Sequence, residues 1–323
     1  MKSFEYATPS NLEEATALLG ESWGQTEILA GGTDLVTSLK QEITQPNRVV
    51  SLKKIADLKG IRAGASNVTI GAMTTLDELA NHAAIKQHFP SLIQAVSGIG
   101  SAQIISVGTV GGDLCQRPRC WYFRNGLGLL ARQGTTSLVR EGENRYHAIF
   151  GNDGPALFVS PSSLGPALIA LGASFTAVGP KGKKRSIAAG EFFLTPKSEQ
   201  ERETALKPNE ILTEISIPIS GLKNATYEVR HRGGLDWPYV TASVAYQLKG
   251  GSISGARVVL GHVAPTPWVA RSASQALDGA KVDEASANKA GEAATQGANP
   301  LSQNGYKVAL VKTAVKRAIL AAA

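Results

Sequence analysis

Ile28-Leu29-Ala30-Gly31-Gly32-Thr33-Asp34-Leu35 is the stretch on which the fold turns. Glu27 to Ala30 reads as a short strand that passes through Gly31 and Gly32 straight into a helical pattern over Thr33 to Gln41. Paired glycines at such a turn let backbone N–H groups approach a phosphate, and the start of the helix adds the positive end of its dipole. The run is not the dinucleotide fingerprint with three spaced glycines, and it lacks the lysine of a P-loop, so both of those sites fall away. On this segment alone a plain structural turn of the same composition stays open.

Further along, Thr109-Val110-Gly111-Gly112-Asp113 repeats the glycine pair beside a hydroxyl and a polar side chain. Two such loops can clasp the two ends of one dinucleotide. Around them the pattern alternates. Asn11 is placed to cap a helix from Leu12 to Leu19, and Val49 to Leu52 reads as a strand. Val68 to Ala72 is a strand ending at Thr74-Thr75, whose hydroxyl caps a helix over Leu76 to His82, with another helix over Phe89 to Ser97. Ile104 to Leu114 reads as strand-turn-strand, and residues 116–150 as an irregular excursion. Then come a helix over Ser163 to Leu171, a hairpin over Ser174 to Ile187 and a strand over Ile211 to Pro218. After Gly221 the pattern becomes a meander (Ala225 to Val229, Tyr239 to Leu248, Ala256 to Leu260) followed by helices over Ala270 to Asp278 and Gly305 to Ala322. The class is α+β, divided at 1–219 (subdomains about 1–55 and 56–219) and 220–323, the second part carrying an antiparallel sheet.

The bulk composition narrows the function. With 323 residues, 43% hydrophobic and 18% charged, the chain has ample core and disorder is excluded. The formal charge of +7 concentrates densely only at Lys181-Gly182-Lys183-Lys184-Arg185. That run reads as a solvated hairpin tip without interleaved aromatics, so no nucleic-acid partner is expected; attraction to an acidic subunit explains the charge equally well. Cys115 and Cys120 are the only cysteines, which excludes a disulfide framework and a four-cysteine metal site and fits a reducing compartment. There is no nucleophile elbow and no H-E-x-x-H pair, so neither catalytic residues nor a metal site are assigned. No apolar stretch approaches the roughly 20 residues needed to span a bilayer, and no membrane insertion is expected.

Leu29 to Leu35, Ser106-Val107-Gly108-Thr109-Val110-Gly111-Gly112-Asp113-Leu114 and Glu210-Ile211-Leu212-Thr213-Glu214-Ile215-Ser216-Ile217-Pro218, in that order and spacing, resemble the FAD-binding medium subunits of the molybdenum hydroxylases: xanthine dehydrogenase, carbon monoxide dehydrogenase and the aldehyde oxidoreductases. The resemblance covers nearly the whole chain. It implies a two-part FAD-binding domain of the vanillyl-alcohol oxidase (PCMH) type and a C-terminal domain of the carbon monoxide dehydrogenase flavoprotein type. It also implies a molybdopterin-binding large subunit and a [2Fe-2S] small subunit as partners, and electron transfer to an outside acceptor. A cytoplasmic location follows as the default, with export only alongside a signal-bearing partner. Carried over by position, Ile28, Leu29, Ala30, Gly31, Gly32, Thr33, Asp34 and Leu35 hold the pyrophosphate. Thr109, Val110, Gly111, Gly112 and Asp113 contact the other side of the cofactor, Ile99 lies against the adenine, and Leu212 touches the flavin.

Three departures from the family pattern stand out. Asp113 stands where the family usually has Asn, and a carboxylate beside phosphate would repel it. Glu228 stands where the family often has a flavin-side Lys, with Arg230 as a replacement cation. Some relatives carry a four-cysteine [4Fe-4S] cluster in the segment matched by Gln116 to Phe150; two cysteines cannot hold one, so no [4Fe-4S] cluster is expected. Arg117, Arg119 and Arg124 are then left to dock a partner subunit or to pack the loop, and His147 either to touch the flavin or to be structural. A stand-alone flavin oxidase and a flavin-free assembly subunit are the alternative readings.

Overall fold

Asn11 caps the first helix as the sequence suggests: its side chain accepts from Glu14 N at 2.9 Å and so satisfies a helix-end donor. In the computed structural model, which describes residues 1–232 and 236–323, β1 (Glu5–Ala7), α1 (Leu12–Ala17), β2 (Thr26–Leu29), α2 (Leu35–Lys40) and β3 (Arg48–Ser51) make a three-stranded parallel sheet in the order β1-β3-β2. Parallel neighbours need crossovers, which α1 and α2 supply. Ala15, Val50, Leu52 and Ile55 form the core of this part.

β4 (Ile61–Ala63) and β5 (Asn67–Gly71) open a second sheet. They are followed by α3 (Leu76–Asn81), α4 (Ala83–His88), α5 (Pro90–Ser97), α6 (Ala102–Val107) and α7 (Val110–Cys115). Thr75 and Glu78 form a reciprocal capping box at α3. The strand-turn-strand expected over Ile104 to Leu114 is corrected: the segment is two short helices broken at Gly108. The apolar run mimics a strand, but the Ser101 hydroxyl accepts from Ile104 N (3.3 Å) and the Thr109 hydroxyl from Gly112 N (3.1 Å), each starting a helical turn.

The excursion at 116–150 contains short regular pieces, α8 (Trp121–Arg124), β6 (Arg132–Gln133), β7 (Thr136–Ser137) and α9 (Leu138–Glu141). It forms two small cores, one around Phe123, Leu129, Leu130 and Phe158 and the other around Ala131, Val139 and Leu157. α10 (Gly165–Leu171), β8 (Ser174–Val178), β9 (Lys184–Ala188), α11 (Ala189–Phe192) and β10 (Ile211–Pro218) then complete an antiparallel sheet in the order β4-β5-β10-β8-β9. β10 is its middle strand, with Ile215 opposite Ile70 on one side and Phe175 on the other. The chain must therefore return across a long separation before the sheet can close.

β11 (Lys223–Val229), β12 (Val240–Lys249), β13 (Ser252–Gly261) and β14 (Trp268–Val269) form the expected antiparallel meander. It is covered by α12 (Arg271–Leu277), α13 (Glu284–Ala293) and α14 (Tyr306–Ala321). The alanine-rich α13 has too weak an apolar stripe to announce itself. Asp283 caps it, and Gly291 lets it close on α14, where an added Cβ would lie 2.7 Å from Lys312 O. Among the described residues no helix is long and apolar enough to cross a membrane.

A buried polar knot fastens the excursion to the C-terminal helices. Lys307 Nζ donates to the carbonyl oxygens of Tyr146 (3.0 Å), His147 (3.1 Å) and His262 (2.9 Å), which uses all three of its donors. Beside it, burial and the Lys307 charge push the imidazole of His147 down to about 4 and that of His262 down to about 3. Both rings are therefore neutral in the folded protein, whereas in the unfolded chain they take up protons near pH ~6.5. Depressed folded values mean stability that is present above the unfolded value and lost as pH falls from there toward the folded values. The urea midpoint is expected to drop between pH 7 and pH 5, by roughly 2 kcal/mol of stability per histidine at pH 5. His147→Gln should remove part of that slope; equal slopes in the two proteins would show that His147 does not contribute.

Candidate functional site

The loop after β2 meets the turn between α6 and α7 backbone to backbone. A Cβ on Gly31 would lie 2.0 Å from Val107 O and 3.1 Å from Gly108 Cα, so no other residue fits without parting the two segments. Gly111 is as closely set against Ala72, at 2.9 Å to both its Cβ and its carbonyl oxygen. Gly32, at φ +86°, makes the turn that the strand needs to enter α2.

This contact brings the two glycine pairs into one wall of a cavity of about 820 Å³. Ile28, Ala30 and Gly31 to Leu35 line it, together with Thr109, Gly111, Gly112 and Leu212. Four of the sequence candidates are not in that wall. Leu29 is half-buried beside Gly32, Val110 is buried in the main core, and Ile99 packs on the edge of that core. Asp113 is turned inward: its carboxylate accepts from the Ser162 hydroxyl (2.6 Å), Leu164 N (3.0 Å), Ser163 N (3.2 Å) and Gln116 Nε2 (3.0 Å). Burial pushes this carboxyl above its ordinary value, and those hydrogen bonds and Arg119 oppose the shift. The repulsion expected between Asp113 and a phosphate loses its geometric basis, since the side chain braces the entry to α10.

The two loops differ in what they leave unsatisfied. Val110 N donates to Thr74 O, Gly111 N to Ala72 O and Gly112 N to Thr109 Oγ1, so the second loop spends its donors internally. Among the described residues, no protein group accepts from the backbone N–H groups of Gly31, Gly32, Thr33, Asp34 or Leu35. Consecutive orphan donors beside a cavity and a helix start are the chemistry that an anionic oxygen cluster fits. The Asp34 carboxylate does not cap α2; it is held by the Arg119 guanidinium (3.1 Å), the Arg124 guanidinium (2.8 Å) and Arg117 N (2.8 Å). The arginines of the excursion thus pack it onto the first loop.

Several wall residues carry no sequence motif. Trp23 lies under the Arg202 guanidinium (4.9 Å), which also pairs with Glu27 (3.1 Å). Arg117 pairs with Glu203 at 2.9 Å. Burial pushes the Glu27 and Glu203 carboxyls up, against the nearby Arg117 charge. The one visible signal was a tryptophan isolated in the polar run Glu21-Ser22-Trp23-Gly24. Glu228 and Arg230 pair with each other, packed against Gly98, so the replacement cation is already engaged by the anion. His147 lies away from the cavity wall, with its Nε2 3.2 Å from Cys120 Sγ.

A two-loop cradle with a phosphate-sized run of unspent donors, opening on a cavity of about 820 Å³, fits a dinucleotide-binding protein. The family model described as the FAD binding domain in molybdopterin dehydrogenase matches residues 2–220, and that of the CO dehydrogenase flavoprotein C-terminal domain matches residues 225–322. The chain belongs to this family of FAD-binding molybdenum hydroxylase subunits. It is 30% identical to the carbon monoxide dehydrogenase medium chain of Hydrogenophaga pseudoflava, over 99% of this chain and 96% of that one. It is 29% identical to the aldehyde oxidoreductase FAD-binding subunit of Escherichia coli K12, over 97% and 96%. A solved carbon monoxide dehydrogenase from Hydrogenophaga pseudoflava, lacking the Mo-pyranopterin moiety, superposes with a TM-score of 0.77 at 29% identity, covering 99% of this chain and 97% of that chain.

The residues fit FAD on the structure's own terms, since its two phosphates need donors and Gly31 to Leu35 offer them unspent. Gly31→Ala drives a methyl group into Val107 O and should part the loops at a cost of roughly 1–3 kcal/mol. FAD affinity is then expected to fall about 10- to 100-fold in a fluorescence titration. Unchanged affinity in a folded variant would mean that the loop contact does not shape the site.

Proposed function

We propose that this chain is the electron-transfer flavoprotein of a molybdenum hydroxylase assembly, taking electrons from a [2Fe-2S] small subunit and delivering them to an external acceptor, with substrate oxidation on a molybdopterin-binding large subunit. The observation that carries this reading is the run of unspent donors from Gly31 to Leu35 in the wall of the cavity, in a chain of this family. FAD, when bound, supplies the redox chemistry; the chain binds it, orients it and keeps water from it. Gly31 to Leu35 hold the pyrophosphate, while Thr109, Gly111 and Gly112 shape the opposite wall and Leu212 supplies an apolar surface.

The arrangement is of the PCMH type, with residues 1–219 as the cofactor domain (parts 1–55 and 56–219) and 220–323 as the C-terminal domain. Among the described residues, Trp121 and Tyr146 of the excursion, Tyr239 just before β12 and Tyr306 are half-buried to exposed tryptophan and tyrosine rings that touch in series. A surface rich in such rings suits contact with other subunits. The assembly is cytoplasmic in this reading.

The purified chain is expected to carry FAD close to one per chain, read by absorbance and by chromatography of the released cofactor, with negligible iron because two cysteines cannot hold a four-thiolate cluster. Failure to take up FAD even after incubation would overturn the reading in favour of a flavin-free assembly subunit, and stoichiometric iron would overturn the absence of a cluster.

A further inference from the structure

An aspartate at the N-cap of a helix ordinarily accepts from the backbone N–H two or three residues on, but Asp34 at the head of α2 makes no such bond. A local rule broken at a binding loop marks a second demand on the side chain. That demand comes from the excursion: Arg119, Arg124 and Arg117 N all close on this one carboxylate, and Arg124 also donates to Ser38 Oγ (2.8 Å) and to the carbonyl oxygens of Pro118 (2.7 Å) and Arg117 (2.9 Å). Arg124 and Asp34 are mostly buried, with side-chain exposures of 12% and 17%, so solvent and salt screen the pair less than a surface bridge.

The same stretch is tied down at a second place. The Glu199 carboxylate accepts from Leu129 N (2.6 Å) and Leu130 N (2.9 Å), and Arg117 reaches Glu203. Between these ties, Arg117, Phe123, Gly126, Gly128 and Leu129 face the cavity, while Arg119 and Arg124 do not line it. The interior of the stretch packs in a small cluster, Phe123, Leu129 and Leu130 with Ala156 and Phe158, against which Ile43 also lies, separate from the large cores. The polar ties that join this wall to the first loop are those of Asp34, and those that join it to the loop before β10 are those of Glu199 and Glu203.

We infer that residues 116–130 are a strap across the dinucleotide cavity, and that the ion pairs of Asp34 with Arg119 and Arg124 are the latch that sets how fast the bound dinucleotide leaves. This rests on the FAD reading above. Arg124 and Arg119 are positioning residues: they act on the cofactor only through Asp34 and the strap.

The test uses the full chain loaded with FAD and follows FAD release by fluorescence after dilution, at a temperature where circular dichroism shows every variant folded. Arg124→Ala and Asp34→Asn should each speed release at least ~10-fold, the scale of one partly buried charged hydrogen bond. The double variant should be no faster than the quicker single one, because both changes open the same latch. Arg124→Lys should recover part of the slow release. Additive effects would mean that the residues do not act as a pair, and an unchanged rate in folded Arg124→Ala would overturn the latch. If Asp34→Asn fails to load FAD, the Arg119→Ala/Arg124→Ala variant, which keeps Asp34 intact, carries the test. If the unaltered chain binds no FAD, the flavoprotein reading itself fails, an outcome distinct from fast release.

Discussion

The backbone of Gly31 lies directly on the carbonyl of Val107 and the Cα of Gly108, and this contact fixes the rest of the site. It brings a loop leaving a parallel sheet against a turn between two short helices that lie, along the chain, between strands of a different, antiparallel sheet. Glycine is required there by packing before any ligand enters the argument, because a methyl group would have to occupy the volume of a carbonyl oxygen. With the two segments pressed together, Gly31 to Leu35, whose N–H groups have no protein acceptor among the described residues, line a cavity whose other walls come from residues far away in sequence. Preorganisation of this kind lets a bound anion find its partners without the loops having to be ordered at that moment.

The two glycine loops look alike in sequence but are used differently. The first leaves its amides free and the second spends them on Thr74, Ala72 and Thr109, so the second serves as a rigid abutment. The polar residue ending each motif follows the same division. Asp34 leaves its own helix uncapped to hold the excursion, and Asp113 turns from the cavity to brace α10 through Ser162, Ser163 and Leu164. Two carboxyl side chains therefore stand close to the proposed anion site, that of Asp34 paired with arginine and that of Asp113 turned away and buried among donors.

Much of this was legible in the residues. Capping by Asn11 and Thr75, the strand from Ile211 to Pro218 and the C-terminal meander all follow from side-chain chemistry and period that act locally, whereas the place of that strand in the middle of its sheet is set by tertiary pairing. Ile104 to Leu114 misread as strands because its isoleucines and valines favour extended chain, while the hydroxyls of Ser101 and Thr109 decide for helices. α13 was missed because alanine and glycine leave no apolar stripe; they are there to let α14 approach. Trp23, Arg202 and Glu203 reach the cavity only through tertiary folding, and no spacing in the sequence joins them to the glycine loops. The inward turn of Asp113 was equally hidden, since its donors lie some fifty positions further along the chain.

The most direct test is residue-resolved amide exchange on the full chain with and without saturating FAD. If the unspent donors of Gly31 to Leu35 hold the pyrophosphate, exchange slows at those five amides when FAD binds, while Gly111 and Gly112, already bonded within the protein, change little. Slowing at Gly111 and Gly112 with no change across Gly31 to Leu35 would contradict the assignment and move the phosphate site to the second loop.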